Sequence, residues 1–146
     1  MHYPIWKIEH IRHQIEVVNG TKAPDILIKN ATYLHSHLKK WISGNIWIVK
    51  DRIVYSGSET PLITDETEVY DAAGQKIVPG YIEPHVHPFQ LYNPQTFADY
   101  ASQLGTTTFI SDNLILFLML ENKKAFSIMD ELKKLPFSFY WWARFD

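Results

Sequence analysis

The sequence predicts an α/β fold in two parts, a small β-rich domain followed by a parallel α/β section. Three observations lead to this prediction. Short β-rich segments separated by turns fill most of the chain up to Pro79. From Gly80 onward, strand-like and helix-like segments alternate, which is typical of parallel βαβ units. The chain has 146 residues with a hydrophobic share of 46%, which is enough apolar sequence for a packed core.

The first predicted element is an amphipathic helix within residues 1–20. Asn19 and Gly20 are expected to end it. His10 and His13 lie opposite its apolar stripe and are expected to face solvent. The stripe repeats every three or four residues, as in a helix that packs on a core, and comprises Ile5, Ile8, Ile11, Ile15 and Val18.

A β-rich section follows over residues 21–79. Lys50 and Asp51 fit the turn of a hairpin between two of its strands. Residues 73–75, Ala-Gly-Gln, fit a second turn, after which the chain is expected to run back. The five expected strands cover residues 25–34, 45–50, 52–57, 67–71 and 76–79.

Residues 80–146 form the predicted α/β section. Pro94 suits the first turn of a helix, Gly105 suits its end, and Pro136 lies beyond the end of the next helix. The expected strands cover residues 81–87, 106–111 and 137–144, and the expected helices cover residues 93–104 and 114–135.

The strongest candidate for chemistry is the histidine pair His85 and His87, in the segment Pro-Gly-Tyr-Ile-Glu-Pro-His-Val-His-Pro over residues 79–88. Side chains alternate along a strand, so both imidazoles are expected on one face, about 6–7 Å apart. This spacing suits two ligands of one cation. The pair also closes the first strand of the α/β section, and active sites form at that end in parallel barrels. The alternative is a pair of surface histidines on an edge strand.

Other polar and aromatic residues have weaker signals. His35 and His37 share the same spacing but lie in a polar, loop-like context, where solvated side chains are expected. Asp112 and Asn113 end the second α/β strand, and Arg144 and Asp146 end the third. These four could contact substrate or support the histidines, but helix capping and a chain terminus are favoured for them. Four tryptophans are expected in the core: Trp41, Trp47, Trp141 and Trp142.

Composition excludes several classes of function. Lysine and arginine number 14 against 16 acidic residues, so the net charge of -2 gives no support to binding of nucleic acid or anionic membranes. The absence of cysteine excludes disulfides, thiolate zinc sites and cysteine nucleophiles. Charges interrupt the first 18 residues, unlike a targeting signal, and the longest apolar run, over residues 114–120, is too short for a membrane span. A cytoplasmic chain is therefore expected.

Five segments together resemble the amidohydrolase superfamily, and are most similar to its bacterial adenine deaminase branch: residues 45–54, 70–74, 78–87, 93–98 and 105–112. The resemblance implies that residues 21–79 are a portion of a β-sandwich. It also implies that residues 80–146 are the first strands and helices of a metal-dependent (β/α) barrel. In that family pattern His85 and His87 correspond to the two metal ligands of the first barrel strand.

The resemblance also implies an activity. Such sites hold one or two divalent ions (manganese, zinc or iron) and activate a hydroxide that attacks a C–N centre. The implied reaction is hydrolytic deamination of adenine to hypoxanthine and ammonia, in a protein that could be a homo-oligomer. Two departures keep hydrolysis of a cyclic amide open as an alternative. Residues 88–90 are Pro-Phe-Gln where the branch has Ile-Glu-Ser, and residues 112–115 are Asp-Asn-Leu-Ile where it has Asp-Pro-His-Glu.

Length sets a further expectation. Only 66 residues follow Gly80, enough for about two units of a barrel that takes about 250 residues. The remaining ligands and the catalytic residues are therefore expected beyond residue 146, and the chain reads as an N-terminal fragment. The alternative hypothesis is that the chain is a non-catalytic fragment. It is then expected to be inactive on adenine and to self-associate through the strand edge at residues 137–145.

Overall fold

The computed structural model describes residues 7–142, which form two compact units that meet in sequence at Pro79 and Gly80. The mixture of helices and strands confirms the predicted α/β class. Between residues 7 and 142, no helix is long and apolar enough to cross a membrane. The first unit contains α1 (Ile8–Val18), β1 (Ile26–His35), β2 (Lys40–Val49), β3 (Arg52–Gly57), β4 (Glu68–Asp71) and β5 (Lys76–Ile77). The second contains β6 (Tyr81–Val86), α2 (Pro88–Leu91), α3 (Pro94–Gln103), β7 (Thr106–Ser111), α4 (Leu114–Met119), α5 (Asn122–Leu132) and β8 (Ser138–Trp141).

The sheet of the first unit has the strand order β3-β2-β1-β4, and β5 also pairs with β1. The antiparallel pairing of β2 with β3, in which Val49 lies opposite Arg52, confirms the hairpin at Lys50 and Asp51. β2 begins at Lys40, five residues before the predicted start, because it continues as the antiparallel partner of β1 as far as the pair His35 and Lys40.

The expected reversal at residues 73–75 is wrong, because β4 and β5 both run parallel to β1. They form one interrupted strand. The left-handed φ values of Ala73 (47°) and Gly74 (78°) interrupt the strand locally. β1 has a matching irregularity at Asn30, whose φ is 55°. At this interruption, Gly74 donates its N–H to the Asn30 carbonyl at 2.9 Å. Pairing then resumes between Thr32 and Lys76.

The predicted helix is observed as α1, and most of its apolar stripe is exposed, although Ile11 is half-buried. Ile8, Ile15 and Val18 are 77%, 55% and 52% exposed, whereas Val17 is buried in a cluster with Leu27, Trp47 and Val49. Ile5 lies outside the described residues. In the connection to β1, the backbone N–H groups of residues 21 and 22 donate to the Glu16 carbonyl and end the helix.

His13 is also placed differently from the expectation. Its ring is half-buried, its Nε2 lies 3.1 Å from the Ala23 carbonyl oxygen, and its Nδ1 lies 4.0 Å from Asp25 Oδ1. His10, expected in solvent like His13, is also half-buried. Val17 and the half-buried His13 of α1 therefore both contact the rest of the first unit, while Ile8, Ile15 and Val18 are exposed.

Asp25 and Asp71 are two of the carboxyl groups of the first unit whose pKa lies below its ordinary value in the folded state. Burial alone raises the pKa of Asp25, but the backbone N–H of Lys50 (2.7 Å) and its ammonium (3.1 Å) hold that pKa below its ordinary value. The backbone N–H of Ala73 (2.9 Å) and the side-chain amide of Asn30 lower the pKa of Asp71. A depressed carboxyl pKa stabilises the fold above the unfolded pKa of about 4 and ceases to do so as pH falls through the folded value.

We therefore expect the free energy of unfolding to decrease as pH is lowered below about 4, and to decrease less in the Asp25→Asn, Asp71→Asn double variant. Urea unfolding followed by tryptophan fluorescence between pH 3 and pH 7 measures this dependence. The control is Asp65→Asn, which removes a carboxylate from an exposed turn of the same unit. Equal acid sensitivity of the wild type and the double variant would contradict the role given to Asp25 and Asp71.

The second unit has the parallel strand order β6-β7-β8, as the alternation of strands and helices predicts. Its core lies between the sheet and the helices, where Ala98, Phe109, Leu132 and Phe139 are buried together. The side chain of Asn93 caps α3 by accepting the backbone N–H of residue 95. Because β6, β7 and β8 are parallel, their carboxyl ends lie at the same edge of the sheet.

Two predicted elements of this unit differ from the structure. The single helix expected over residues 114–135 is divided into α4 and α5, because Leu120 (ψ 151°) and Glu121 (ψ 143°) are not helical. The break changes the helix direction and allows both Leu116 and Ala125 to be buried. The strand expected over residues 137–144 is observed as β8, and Arg144 and Asp146 lie outside the described residues.

Candidate metal centre

Side chains from three strand ends meet at the carboxyl edge of the parallel sheet. His85 lies near the end of β6, Asp112 follows β7, and Trp142 follows β8. The sheet hydrogen bonding continues past the strand ends and fixes the backbone there. Asp112 donates its N–H to the Val86 carbonyl at 2.8 Å, and Trp142 donates to the Ser111 carbonyl at 3.0 Å. Ligands of open parallel sheets bind at this edge.

The two imidazoles of the predicted pair are close together. The ring centroids of His85 and His87 are 4.9 Å apart, with an angle of 41° between the ring planes. Only His85 lies on the strand, since His87 (φ -110°, ψ 73°) has left the extended conformation just before Pro88 begins α2. Both histidines are exposed, so a ligand can reach them from solvent.

Asp112 brings a buried carboxylate to the histidines. Its side chain is 6% exposed, and its Oδ2 lies 3.6 Å from His87 Nδ1. Its Oδ1 accepts the backbone N–H of Leu114, the first residue of α4, at 2.7 Å. Asp112 therefore both holds the start of a helix and faces a histidine. Asn113, for which capping was also expected, makes no side-chain hydrogen bond to this helix.

One ligand atom each from His85, His87 and Asp112 lies within 4.8 Å of the others. Two imidazoles and one carboxylate form a donor set suited to zinc, manganese or iron. The chemistry of these residues therefore fits the divalent cation that the sequence predicts. Among residues 7–142, no other group of three histidine, aspartate or glutamate side chains has its ligand atoms this close together.

The other histidine pair lacks these features. The ring centroids of His35 and His37 are 6.2 Å apart, with His35 at the end of β1 and His37 in the turn that joins β1 to β2. His35 Nδ1 accepts the backbone N–H of Leu38 at 3.3 Å, and His37 is exposed. Within the described residues, neither joins a group of three metal-ligand side chains.

The tryptophans divide between the core and the surface. Trp47 and Trp141 pack in the cores of their units, as expected. The core prediction is wrong for Trp41 and Trp142, which are 46% and 47% exposed. The ring of Trp142 lies 5.6 Å from that of His85. Sequence reasoning missed this site residue, although its position just after a parallel strand, like that of Asp112, is a signal that could have identified it.

The sequence is similar to those of curated bacterial proteins. A protein of Halalkalibacterium halodurans with the name "Putative adenine deaminase" is 57% identical over 142 residues, which cover 97% of this chain and 24% of that protein. A Bacillus cereus protein of the same name is 53% identical over 145 residues, which cover 99% of this chain and 24% of that protein. The chain thus spans about a quarter of the length of these relatives. No family model matches it.

A solved structure shares part of the fold. The L-hydantoinase (dihydropyrimidinase) from Arthrobacter aurescens superposes with a TM-score of 0.53 and 20% sequence identity, over 62% of this chain and 21% of that chain. At this identity the likeness shows the fold alone. Together with the sequence relatives, it agrees with the resemblance inferred from the motifs. The chain is therefore similar to the N-terminal quarter of proteins that bear the name putative adenine deaminase, in agreement with the motif resemblance.

Proposed function

We propose that the protein containing this chain is a metal-dependent hydrolase that deaminates adenine to hypoxanthine and ammonia. The convergence of His85, His87 and Asp112 at one sheet edge is the observation that carries the proposal. The printed names of relatives more than 50% identical to the chain favour adenine as the substrate. The proposal includes a β-sandwich portion over residues 21–79 and a barrel that begins over residues 80–146.

His85 and His87 would hold one or two divalent ions of manganese, zinc or iron through their neutral ring nitrogens. Oδ2 of Asp112 lies 3.6 Å from His87 Nδ1, and the buried negative charge of this carboxylate favours a cation beside the two histidines. When bound, the cation supplies Lewis acidity for hydrolysis. The remaining ligands and the groups that transfer protons are proposed to come from beyond residue 146.

Hydrolysis of a cyclic amide by the same site is the second candidate. The fold likeness to an L-hydantoinase favours it, as do the two departures at residues 88–90 and 112–115. In both candidates the partner is a small molecule rather than nucleic acid or a membrane. We also propose a cytoplasmic location and a homo-oligomer.

Ammonia release from adenine, compared with chromatographic detection of the ring-opened acids from hydantoin and dihydrouracil, tests the proposal in a full-length protein that contains this sequence. With added manganese, we expect turnover of adenine at a higher kcat/KM than that of hydantoin or dihydrouracil. A chelator should abolish the turnover, and manganese, zinc or iron should restore it. Preferred hydrolysis of hydantoin would favour the second candidate. Turnover that persists without any divalent metal would contradict both.

A further inference from the structure

The exposed indole of Trp142 lies beside the proposed metal ligands. Its backbone position is fixed, because its N–H continues the hydrogen bonding between β7 and β8. The His85 ring is tilted by 48° to the indole and so does not cover it as a parallel stacked ring would. The indole therefore lies beside the histidines without being stacked on His85.

The neighbouring Trp141 is an example of an aromatic side chain that packs in the core of this unit. Trp141 stacks on Phe89 and Phe139, with centroids 5.8 Å and 6.0 Å away and ring planes within 18° of parallel. Trp142, in contrast, is not among the residues of that core cluster. A ligand ring that stacks on the indole would gain from the burial of its apolar surface.

A flat, aromatic nitrogen heterocycle is the ligand class that best fits this surface. Stacking of a nucleobase on an aromatic side chain depends on the π face of both rings and not on a particular hydrogen-bond pattern. Hydantoin and dihydrouracil are smaller rings without a full aromatic system, so they gain less from stacking. An indole beside the histidines would consequently favour purines over cyclic amides.

We propose that Trp142 is a substrate-positioning residue that stacks on the purine ring and sets the preference for purines over cyclic amides. The inference rests on the proposed function. His85 lies between Trp142 and His87, with centroid separations of 5.6 Å and 4.9 Å. A ring stacked on the indole therefore lies within reach of the proposed cation, and Trp142 acts on binding rather than on the chemical step.

Binding and turnover of adenine by the full-length protein test this role. We expect Trp142→Leu to raise the Kd for adenine, measured by equilibrium dialysis of the metal-free protein, about 10- to 100-fold. KM should rise in parallel while kcat and metal content stay near the wild-type values. Trp142→Phe keeps an aromatic face and should recover most of the affinity. The matched control is Trp41→Leu, which removes an equally exposed indole from the first unit.

The outcomes separate the two proposals. A wild-type protein that deaminates adenine, with the same Kd and KM in a folded Trp142→Leu variant, would overturn the role of Trp142 and leave the proposed function intact. If Trp142→Leu does not fold, an unchanged Kd in Trp142→His, which has a smaller ring, would overturn it equally. A wild-type protein that neither binds nor deaminates adenine would refute the proposed function and the purine preference together.

Discussion

Replacing either His85 or His87 by alanine is expected to lower metal affinity by roughly 100-fold or more and to abolish adenine turnover. Structural zinc sites gain about 10–16 kcal/mol from four ligands, so the loss of one ligand costs roughly 3 kcal/mol or more. Metal content after dialysis, measured by atomic emission, and ammonia release from adenine in a full-length protein both report the loss.

The chain supplies its own control for this experiment. His35 and His37 have the same spacing, but they lie at the end of β1 and in the turn that follows it, between antiparallel strands. Alanine at either position should leave metal content and turnover unchanged. Equal metal loss from the two pairs would show that the spacing alone, rather than the position at the parallel sheet edge, accounts for binding, and the assignment would then be wrong.

Substitution of Asp112 is expected to have the second largest effect, and two variants separate its two contacts. In Asp112→Ala, the backbone N–H of Leu114 loses its acceptor, which should reduce the free energy of unfolding by about 0.5–2 kcal/mol. The carboxylate facing His87 is lost as well, which should weaken metal binding about 10- to 100-fold. Urea unfolding and metal titration measure the two effects.

Asp112→Asn keeps an oxygen for Leu114 but removes the negative charge. We expect stability close to that of the wild type together with the same order of loss in metal affinity. Asn113→Ala is the matched control, because Asn113 makes no side-chain hydrogen bond to α4, and both measurements should change little. Full metal affinity in Asp112→Asn would show that Asp112 serves the helix alone.

The sequence pattern predicts those elements whose partners are close in the chain. Alternating side chains and turn residues identify the hairpin of β2 and β3, and the strand–helix alternation identifies the parallel order of β6, β7 and β8. Both depend on local periodicity and on general rules of connection. The metal-binding role of His85 and His87, inferred from their spacing, stays a prediction.

The errors arise where contacts between distant segments decide the outcome. Residues 73–75 have the composition of a reversing turn, but Asn30, some 40 residues earlier, provides the irregularity that lets the strand continue. The periodicity of α1 identifies an apolar stripe but cannot show that Val17, which is outside the stripe, packs with Leu27, Trp47 and Val49. Capping by Asp112 agrees with its hydrogen bond to Leu114, whereas its approach to His87, which follows a different strand, depends on the pairing of β6 with β7.

The parallel pairing of β4 and β5 with β1 has a consequence for the order of folding. β1, β2 and β3 are joined by short antiparallel connections, so their contacts are local in sequence and cost little loop-closure entropy. Pairing of Ile26 with Glu68 closes a loop of about 40 residues and is therefore expected to form later. Until then one edge of β1 is unprotected, and newly made chains are most prone to aggregate in that interval.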